Sequence, residues 1–285
     1  MKILVTGANG QLGQELVQQL NKMDVQLFPF TKSELDICNL DLVLKVVSEI
    51  QPHVIVNAAA YTKVDKAESE KELAFSVNAY GQRNLAVAAD KVGAKICYVS
   101  TDYVFDGNAT VPYEEHALVN PIGVYGKSKY AGEQLTQTLS NKYFIVRTAW
   151  VYGEYGPNFV KTMLRLASEK EELGVVSDQI GSPTYTVDLA SFIIELVQTE
   201  KYGIYHCTNT GTCSWYEFAL AIFEEANIAI KVNPLKTCQY PTPAKRPNYS
   251  VLSDSAIIVN NFKPIRHWRE GLKDFLNNTK NNNLL

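Results

Sequence analysis

The segment KILVTGANGQLG, from Lys2 to Gly13, constrains this chain more than any other. It opens β-branched and apolar at both parities, the pattern of a strand buried on both faces. Three glycines follow at a spacing of three, Gly7, Gly10 and Gly13, and Gln11 to Lys22 then reads as a helix with Leu12, Leu16, Val17 and Leu20 on one face. In such a strand–turn–helix unit the first glycine permits a tight turn. The second lets the backbone approach a pyrophosphate, and the third lets helix and strand pack closely. The helix N-terminus presents unpaired N–H groups to phosphates. Spaced glycines also occur in ordinary loops, and it is their place at the first strand–helix junction that points to a dinucleotide.

The rest of the first half repeats the alternation. VQLF, HVIVNAAA, KICYVS and YFIVRTAW are strand candidates, separated by helical patterns at Leu40–Ile50, Glu70–Lys91 and Pro121–Ser140. The expected fold is α/β: a Rossmann-type doubly wound parallel sheet with a smaller C-terminal substrate-binding lobe. Residues 1–150 form the dinucleotide-binding domain on this reading and 151–285 mainly the lobe, with about 186–208 returning to the sheet. Within the second half, Val187–Thr199 and Trp215–Asn227 read as helices with GIYHC between them, and the tail NNTKNNNLL as frayed.

Composition narrows the function. Lys and Arg total 27 against 30 Asp and Glu, a net charge of −3, which lacks the basic footprint of a nucleic-acid binder. No apolar run approaches the roughly 20 residues that span a bilayer, and MKILVTGANG does not read as a secretory leader. A cytoplasmic protein with no membrane partner is expected. Its 5 cysteines (Cys38, Cys97, Cys207, Cys213, Cys238) are odd in number and lack C-x-x-C, as suits buried, reduced thiols. The 4 scattered histidines offer no H-E-x-x-H, and no metal ligand is assigned.

Two segments carry chemistry. Tyr125 and Lys129 are four apart in a predicted helix, so both project from one face. An ammonium a few ångströms from a phenol lowers its pKa from about 10 and makes it a usable proton relay. The pair is a common one on surface helices, and the upstream glycine turn gives it meaning. Beyond the strand KICYVS lie Ser100-Thr101-Asp102, at the carboxyl end of a strand, where open parallel sheets bind ligands. These residues also suit a simple strand end. Beside Tyr125 and Lys129, Thr101 is read as the third catalytic group. Two decoys fail here. Gly126-Lys127-Ser128 lacks the phosphate-loop glycine five positions earlier, where Pro121 stands, and G-x-S-x-G is broken by Tyr130. After the second strand come Thr31 and Lys32 with no carboxylate until Glu34. A lysine there suits a 2′-phosphate, and it equally suits a solvated surface, so NADPH is expected and NADH stays possible.

Together GANGQLG, HVIVNAAAYTKVDKAESE, VSTDYVFDG, NPIGVYGKSKYAGE, RTAWVYG, NFVKTML, DQIGSPTYT and YPTPAKRP resemble the extended short-chain dehydrogenases/reductases, and within them the dTDP-4-dehydrorhamnose reductases. The resemblance covers most of the chain. It implies reduction of the 4-keto group of a dTDP-sugar by NADPH or NADH, the last step to dTDP-rhamnose. It makes Tyr125 the proton donor and Lys129 its partner, also bonded to the nicotinamide ribose. It sets Gly7, Gly10, Gln11, Leu12, Gly13, Thr31, Lys32, Asp36, Ile37, Ala60, Tyr61, Thr62 and Val99 along the cofactor. Thr101, Asp102, Trp150, Asn158 and Arg246 fall to the substrate, Arg246 toward its diphosphate. Some members of the family bind Mg²⁺ at a dimer interface through glutamates. Glu15 matches one such ligand, but Val187-Asp188 supplies no second glutamate, which leaves a homodimer possible without the metal bridge.

Three alternatives are weighed. A nucleotide-sugar 4,6-dehydratase resembles this chain but carries Asp-Glu after the threonine, where Asp102 is followed here by Tyr103. Another nucleotide-sugar reductase or epimerase of the superfamily shares the turn and the tyrosine–lysine pair. A non-catalytic NADP-binding subunit of a methionine adenosyltransferase has no chemical reason to keep Thr101, Tyr125 and Lys129 together.

Overall fold

The computed structural model describes residues 1–281. Six of the apolar runs form one parallel sheet: β1 (Lys2–Thr6), β2 (Gln26–Phe30), β3 (Val54–Asn57), β4 (Lys95–Thr101), β5 (Tyr143–Thr148) and β6 (Gly203–His206). Their spatial order is β6-β5-β4-β3-β1-β2, and every neighbouring pair is parallel. The order reverses at β1, which pairs with β2 on one side and β3 on the other. A crevice opens at such a switch point beyond the carboxyl ends of the strands. Register brings Thr6 beside Asn57 and Thr101 beside Thr148 along that edge.

The longer helices are α1 (Gln11–Leu20), α2 (Leu40–Ile50), α3 (Gln82–Val92), α4 (Val124–Leu139), α5 (Phe159–Glu169), α6 (Thr186–Val197), α7 (Trp215–Ala226) and α8 (Trp268–Asn281). Strand residues alternate between faces with period two. Ile3, Val5 and Val54 therefore meet Leu16 and Leu20 of α1 and Leu189 and Ile193 of α6. Leu4, Ile55 and Ile96 point the other way, onto Val43 and Val47 of α2 and Leu85 and Ala88 of α3. Each of these valine, leucine and isoleucine side chains contributes about 1.5–3 kcal/mol of apolar burial. A further core joins α5, α7 and α8 through Val160, Leu164, Phe218, Ile222, Leu272 and Phe275. Beside it the strands Glu172–Val176 and Lys231–Leu235 pair in parallel. Side chains cap the helices locally: Asn39 for α2, Asn158 for α5, and a reciprocal Ser214–Glu217 box for α7.

Four expectations change. The helix read from Pro121 starts at Val124, because Gly123 is extended (φ −117°, ψ 167°) and the Val124 N–H donates to Glu68 Oε1 at 2.8 Å. The cap comes from 56 residues away in the chain, outside any local pattern. The single helix expected over Glu70–Lys91 is instead a short helix Lys71–Phe75, a π-helical stretch Ser76–Gly81 and α3, with a further short helix Val64–Ala67 ahead of it. In the π stretch the Asn78 carbonyl accepts from the Tyr98 hydroxyl at 2.8 Å. The tail expected to fray stays helical through Asn281. Thr279 is buried there, its hydroxyl donating to the Phe275 carbonyl at 2.6 Å, and the remainder of the tail lies outside the described residues. The cysteines are free, but Cys238 is exposed where burial was expected.

Candidate active site

The glycine turn sits at the switch point and is held closed by its own backbone. Gly10 N–H donates to Gly7 O at 2.9 Å and Ala8 N–H to Phe30 O at 3.0 Å. Gly7 adopts φ +67°, and a Cβ there would lie 2.6 Å from Ala59 N. At Gly13 a Cβ would lie only 2.0 Å from Gly7 O, so helix and turn touch backbone to backbone. No side chain caps the N-terminus of α1. Its first N–H groups are left to an incoming anion, and this cradle fits a dinucleotide pyrophosphate. Gln11 bridges outward, its Nε2 donating to Val151 O at 3.3 Å and its Oε1 accepting from Asn158 Nδ2 at 3.1 Å. Asn158 also donates to Gly153 O at 2.8 Å and accepts from Lys161 N–H at 3.0 Å. Expected on the substrate side, Asn158 has its amide taken up in capping α5 and in tying the turn to the second half.

Beyond β2, both the N–H and the hydroxyl of Thr31 donate to Glu34 Oε2, at 2.8 and 2.7 Å, while Lys32 is exposed. A carboxylate thus stands at this strand end after all. These bonds hold the Glu34 carboxyl below its usual range. Asp36 accepts from Cys38 N–H at 3.0 Å, and Ile37 is buried with its carbonyl on Asn84 Nδ2 at 2.9 Å. After β3 the Tyr61 hydroxyl donates to Glu70 at 2.6 Å, with Ala60 partly buried and Thr62 exposed beside it. Tyr61 N–H and carbonyl are gripped by the Asn78 amide at 2.8 and 3.1 Å. Leu12 packs into the core beneath the turn.

Thr101, Tyr125 and Lys129 converge on the carboxyl end of β4. The Thr101 hydroxyl donates to Asp102 Oδ1 at 3.0 Å and also reaches the Tyr125 phenol. Lys129 is 1% exposed; its Nζ donates to Val99 O at 2.5 Å and lies 4.1 Å over the Tyr98 ring. Burial pulls this ammonium down to about 7, against the opposing pull of Glu133. The phenol moves opposite to the expectation: burial pushes Tyr125 up to about 12, and only the Thr101 hydroxyl draws it back. The reason is geometric, since the lysine is anchored on a backbone carbonyl and desolvation dominates at the tyrosine. At neutral pH Tyr125 is therefore a neutral donor. Asp102, 2% exposed, is pushed up to about 6 by burial, with the Ser250 and Thr101 hydroxyls pulling the other way.

Trp150 has a left-handed backbone, φ +49°, rare for a bulky residue. Its ring stacks on Trp215 at 3.6 Å between centroids and 10° between planes, and Phe159 lies 4.6 Å from Trp215. Arg246 donates to Asp65 Oδ2 at 2.8 Å and to Ala244 O at 3.3 Å. It borders a cavity of about 360 Å³ together with Asp106, Ile122, Thr237, Tyr240 and Asn248. In this arrangement the guanidinium that was expected on a diphosphate is paired with a carboxylate. Glu15 is buried, accepts from Gln19 at 2.8 Å and has its carboxyl raised by that burial, while Asp188 pairs with Arg266. Among the described residues no group of three or more His, Cys, Asp or Glu is placed to hold a metal ion. None of their helices is long and apolar enough to cross a membrane.

Sequence reasoning passed over several supports of this site. Asn78 clamps Tyr61 and donates to Ser128 Oγ at 2.9 Å, Glu68 caps α4, and Trp215 backs Trp150. Gly126 packs so closely that a Cβ would lie 2.1 Å from Tyr103 O. Asn78 left a trace in the sequence, as a polar residue with Ala74 and Phe75 one helical turn before it and Gly81 one turn after.

A parallel sheet of this order, a glycine turn at its switch point and a Thr–Tyr–Lys group beside it are the marks of a nicotinamide-dependent oxidoreductase of the extended short-chain dehydrogenase/reductase class. The family model described as RmlD substrate binding domain matches residues 1–281. A dTDP-4-dehydrorhamnose reductase of Aggregatibacter actinomycetemcomitans is 50% identical over 88% of this chain and 90% of its own length. The spore coat polysaccharide biosynthesis protein SpsK of Bacillus subtilis is 46% identical over 96% of each chain. The crystal structure of dTDP-4-dehydrorhamnose reductase from Bacillus anthracis in complex with NADP superposes with a TM-score of 0.96 at 52% identity, covering 98% of this chain and 99% of that one. The chain belongs to the dTDP-4-dehydrorhamnose reductase family. A Thermus thermophilus UDP-glucose 4-epimerase, at 21% identity and a TM-score of 0.83, shares the fold.

Proposed function

We infer that this protein reduces the 4-keto group of dTDP-4-dehydro-β-L-rhamnose to the alcohol of dTDP-β-L-rhamnose, the last step of dTDP-rhamnose biosynthesis. The observation that carries the mechanism is the meeting of the Thr101 and Tyr125 hydroxyls, with a buried Lys129 one helical turn beyond Tyr125. NADPH, when bound along the glycine turn, supplies the hydride. Tyr125, kept protonated by its surroundings, donates its proton to the oxygen that becomes anionic as the carbonyl is reduced. Thr101, its hydroxyl turned from Asp102, holds that oxygen by a hydrogen bond, and Lys129, one helical turn away and seated on the Val99 carbonyl before substrate binds, turns to the phenolate left behind. Asp102, Trp150 and Arg246 line the sugar-nucleotide side, and Arg246 exchanges Asp65 for the diphosphate. Exposed Lys32 favours NADPH, and Glu34, engaged with Thr31, does not exclude NADH. We place the enzyme in the cytoplasm, where its nucleotide-sugar substrate is made, without a metal bridge between subunits.

Incubation with dTDP-4-dehydro-β-L-rhamnose and each reduced nicotinamide, followed by absorbance and product analysis, tests this reading. Tyr125→Phe should lower kcat about 100-fold or more with cofactor Kd within about twofold of wild type, because only the phenol proton is lost. Unchanged turnover in that variant removes Tyr125 from the acid role. No oxidation of either cofactor by wild type favours the binding-only reading.

A further inference from the structure

One turn beyond Lys129, the same buried face of α4 carries a second charge. Glu133 is 0% exposed and accepts from Ser100 Oγ at 2.5 Å and from Arg147 Nε and Nη2 at 3.0 and 2.7 Å. Arg147, 1% exposed, also donates to Glu115 O at 3.1 Å, and its Nη1 lies 3.3 Å from His206 Nε2. His206 is buried, and desolvation together with Arg147 pushes its imidazole down to about 3, so it is neutral. Ser100 directly follows Val99, whose carbonyl receives the Lys129 ammonium. Two side chains one helical turn apart thus grip adjacent residues of β4.

A buried ammonium is costly unless an anion answers it. Around Lys129, β4 contributes the Tyr98 ring and the Val99 carbonyl, and α4 itself contributes Tyr125. The 3₁₀ turn after β4 brings Asp102 and Tyr103, which act on Tyr125 and on each other. The π stretch offers the neutral Asn78 and α3 the neutral Gln82. On the short helices packed against α4, Asp65 pairs with Arg246, Glu68 caps α4 and Glu70 holds Tyr61. From β5, Arg147 spends its fork on Glu133. Glu133 is the carboxylate that acts on the lysine.

We propose that Glu133 is a positioning residue for the reduction: fixed by Ser100 and the Arg147 fork, its carboxylate keeps Lys129 charged and seated on the Val99 carbonyl, ready to serve Tyr125. The proposal rests on the reductase reading above, and its primary test does not require turnover. In protein labelled with ε-¹³C lysine, the Lys129 resonance is assigned by its loss in Lys129→Arg and titrated in wild type and Glu133→Gln. The Lys129 midpoint should fall by about one pH unit or more in the variant. The alkaline limb of kcat/KM should move with it, giving about a tenfold loss near pH 9 and activity within about twofold of wild type near pH 6. Glu133→Asp, which keeps the charge, should restore much of the limb.

Glu133→Gln leaves Arg147 buried and unpaired. If it does not fold, the midpoint in the double variant Glu133→Gln/Arg147→Met should fall relative to Arg147→Met alone, which differs from it only in the Glu133 charge. An unmoved Lys129 midpoint, or a loss uniform across pH, overturns the proposal and leaves Glu133 a purely structural residue. Should wild type fail to reduce the sugar, the reductase reading falls, while the lysine titration still decides what Glu133 does.

Discussion

Gly13→Ala puts the geometry of the glycine turn to a quantitative test. The new methyl would sit 2.0 Å from Gly7 O, 2.8 Å from Gly7 C and 2.9 Å from Ala8 Cα, where ordinary contact begins at 3.4 Å. All three obstacles are backbone, so α1 must retreat from the turn by more than an ångström or the turn must open. Overpacking of this kind costs about 1–3 kcal/mol, and backbone obstacles argue for the upper end. Alanine's better helix propensity returns about 1 kcal/mol, for a net loss of about 2 kcal/mol. In a chain of this size that lowers Tm by about 3 °C. The displaced N–H groups should also weaken NADPH binding by at least about tenfold, equivalent to about 1.4 kcal/mol. Differential scanning fluorimetry and titration of nicotinamide fluorescence measure both. Gly10→Ala is the control for stability alone, since it too faces the pyrophosphate: its Cβ would meet only Gly7 O within the chain, at 3.1 Å, and a shift of a few tenths of an ångström relieves it. If Gly13→Ala melts and binds NADPH like wild type, the close-approach argument is wrong.

Three other perturbations read different parts of the structure. Asp102, raised to about 6 in the folded chain, contributes stability below the unfolded carboxyl pKa that is lost as pH rises through 6. Asp102→Asn should therefore be more stable than wild type by about 2–3 kcal/mol at pH 8, with the gap closing toward pH 4, as urea unfolding would report. His206, pushed down to about 3, contributes stability that is complete above the unfolded imidazole pKa and lost on acidification toward 3. His206→Gln should lose less stability than wild type between about pH 7 and pH 4.5, by about 2–3 kcal/mol, and equal slopes would contradict a neutral buried imidazole. Trp215→Leu removes the 3.6 Å stack behind Trp150. It should cost about 1 kcal/mol beyond lost area, abolish any exciton couplet of the two indoles in circular dichroism, and raise KM for the sugar more than it lowers kcat.

Local patterns reach a definite distance in this chain. Apolar runs such as VIVN and FIVR are legible as strands because both parities are buried, and the helix faces of α1 and α2 are legible because their leucines and valines recur with helical period. The glycine spacing announced a close backbone approach, since only a residue without Cβ fits there. What the linear pattern carries is the chemistry of neighbours within a turn or two.

Contacts made across the chain lie beyond that reach. The start of α4 depends on Glu68, the bulge at Ser76–Gly81 meets Tyr98, and Asn158 is drawn to Gln11 from 147 residues away. The same holds for charge. The spacing of Tyr125 and Lys129 pointed to a depressed phenol, but desolvation and a hydrogen bond to Val99 decide the outcome, and neither exists until the chain is packed. Periodicity and turn chemistry thus determined which segments fold and which sheet they build. Burial, set by the whole assembly, decided the protonation states and partners of the groups that stand at its edge.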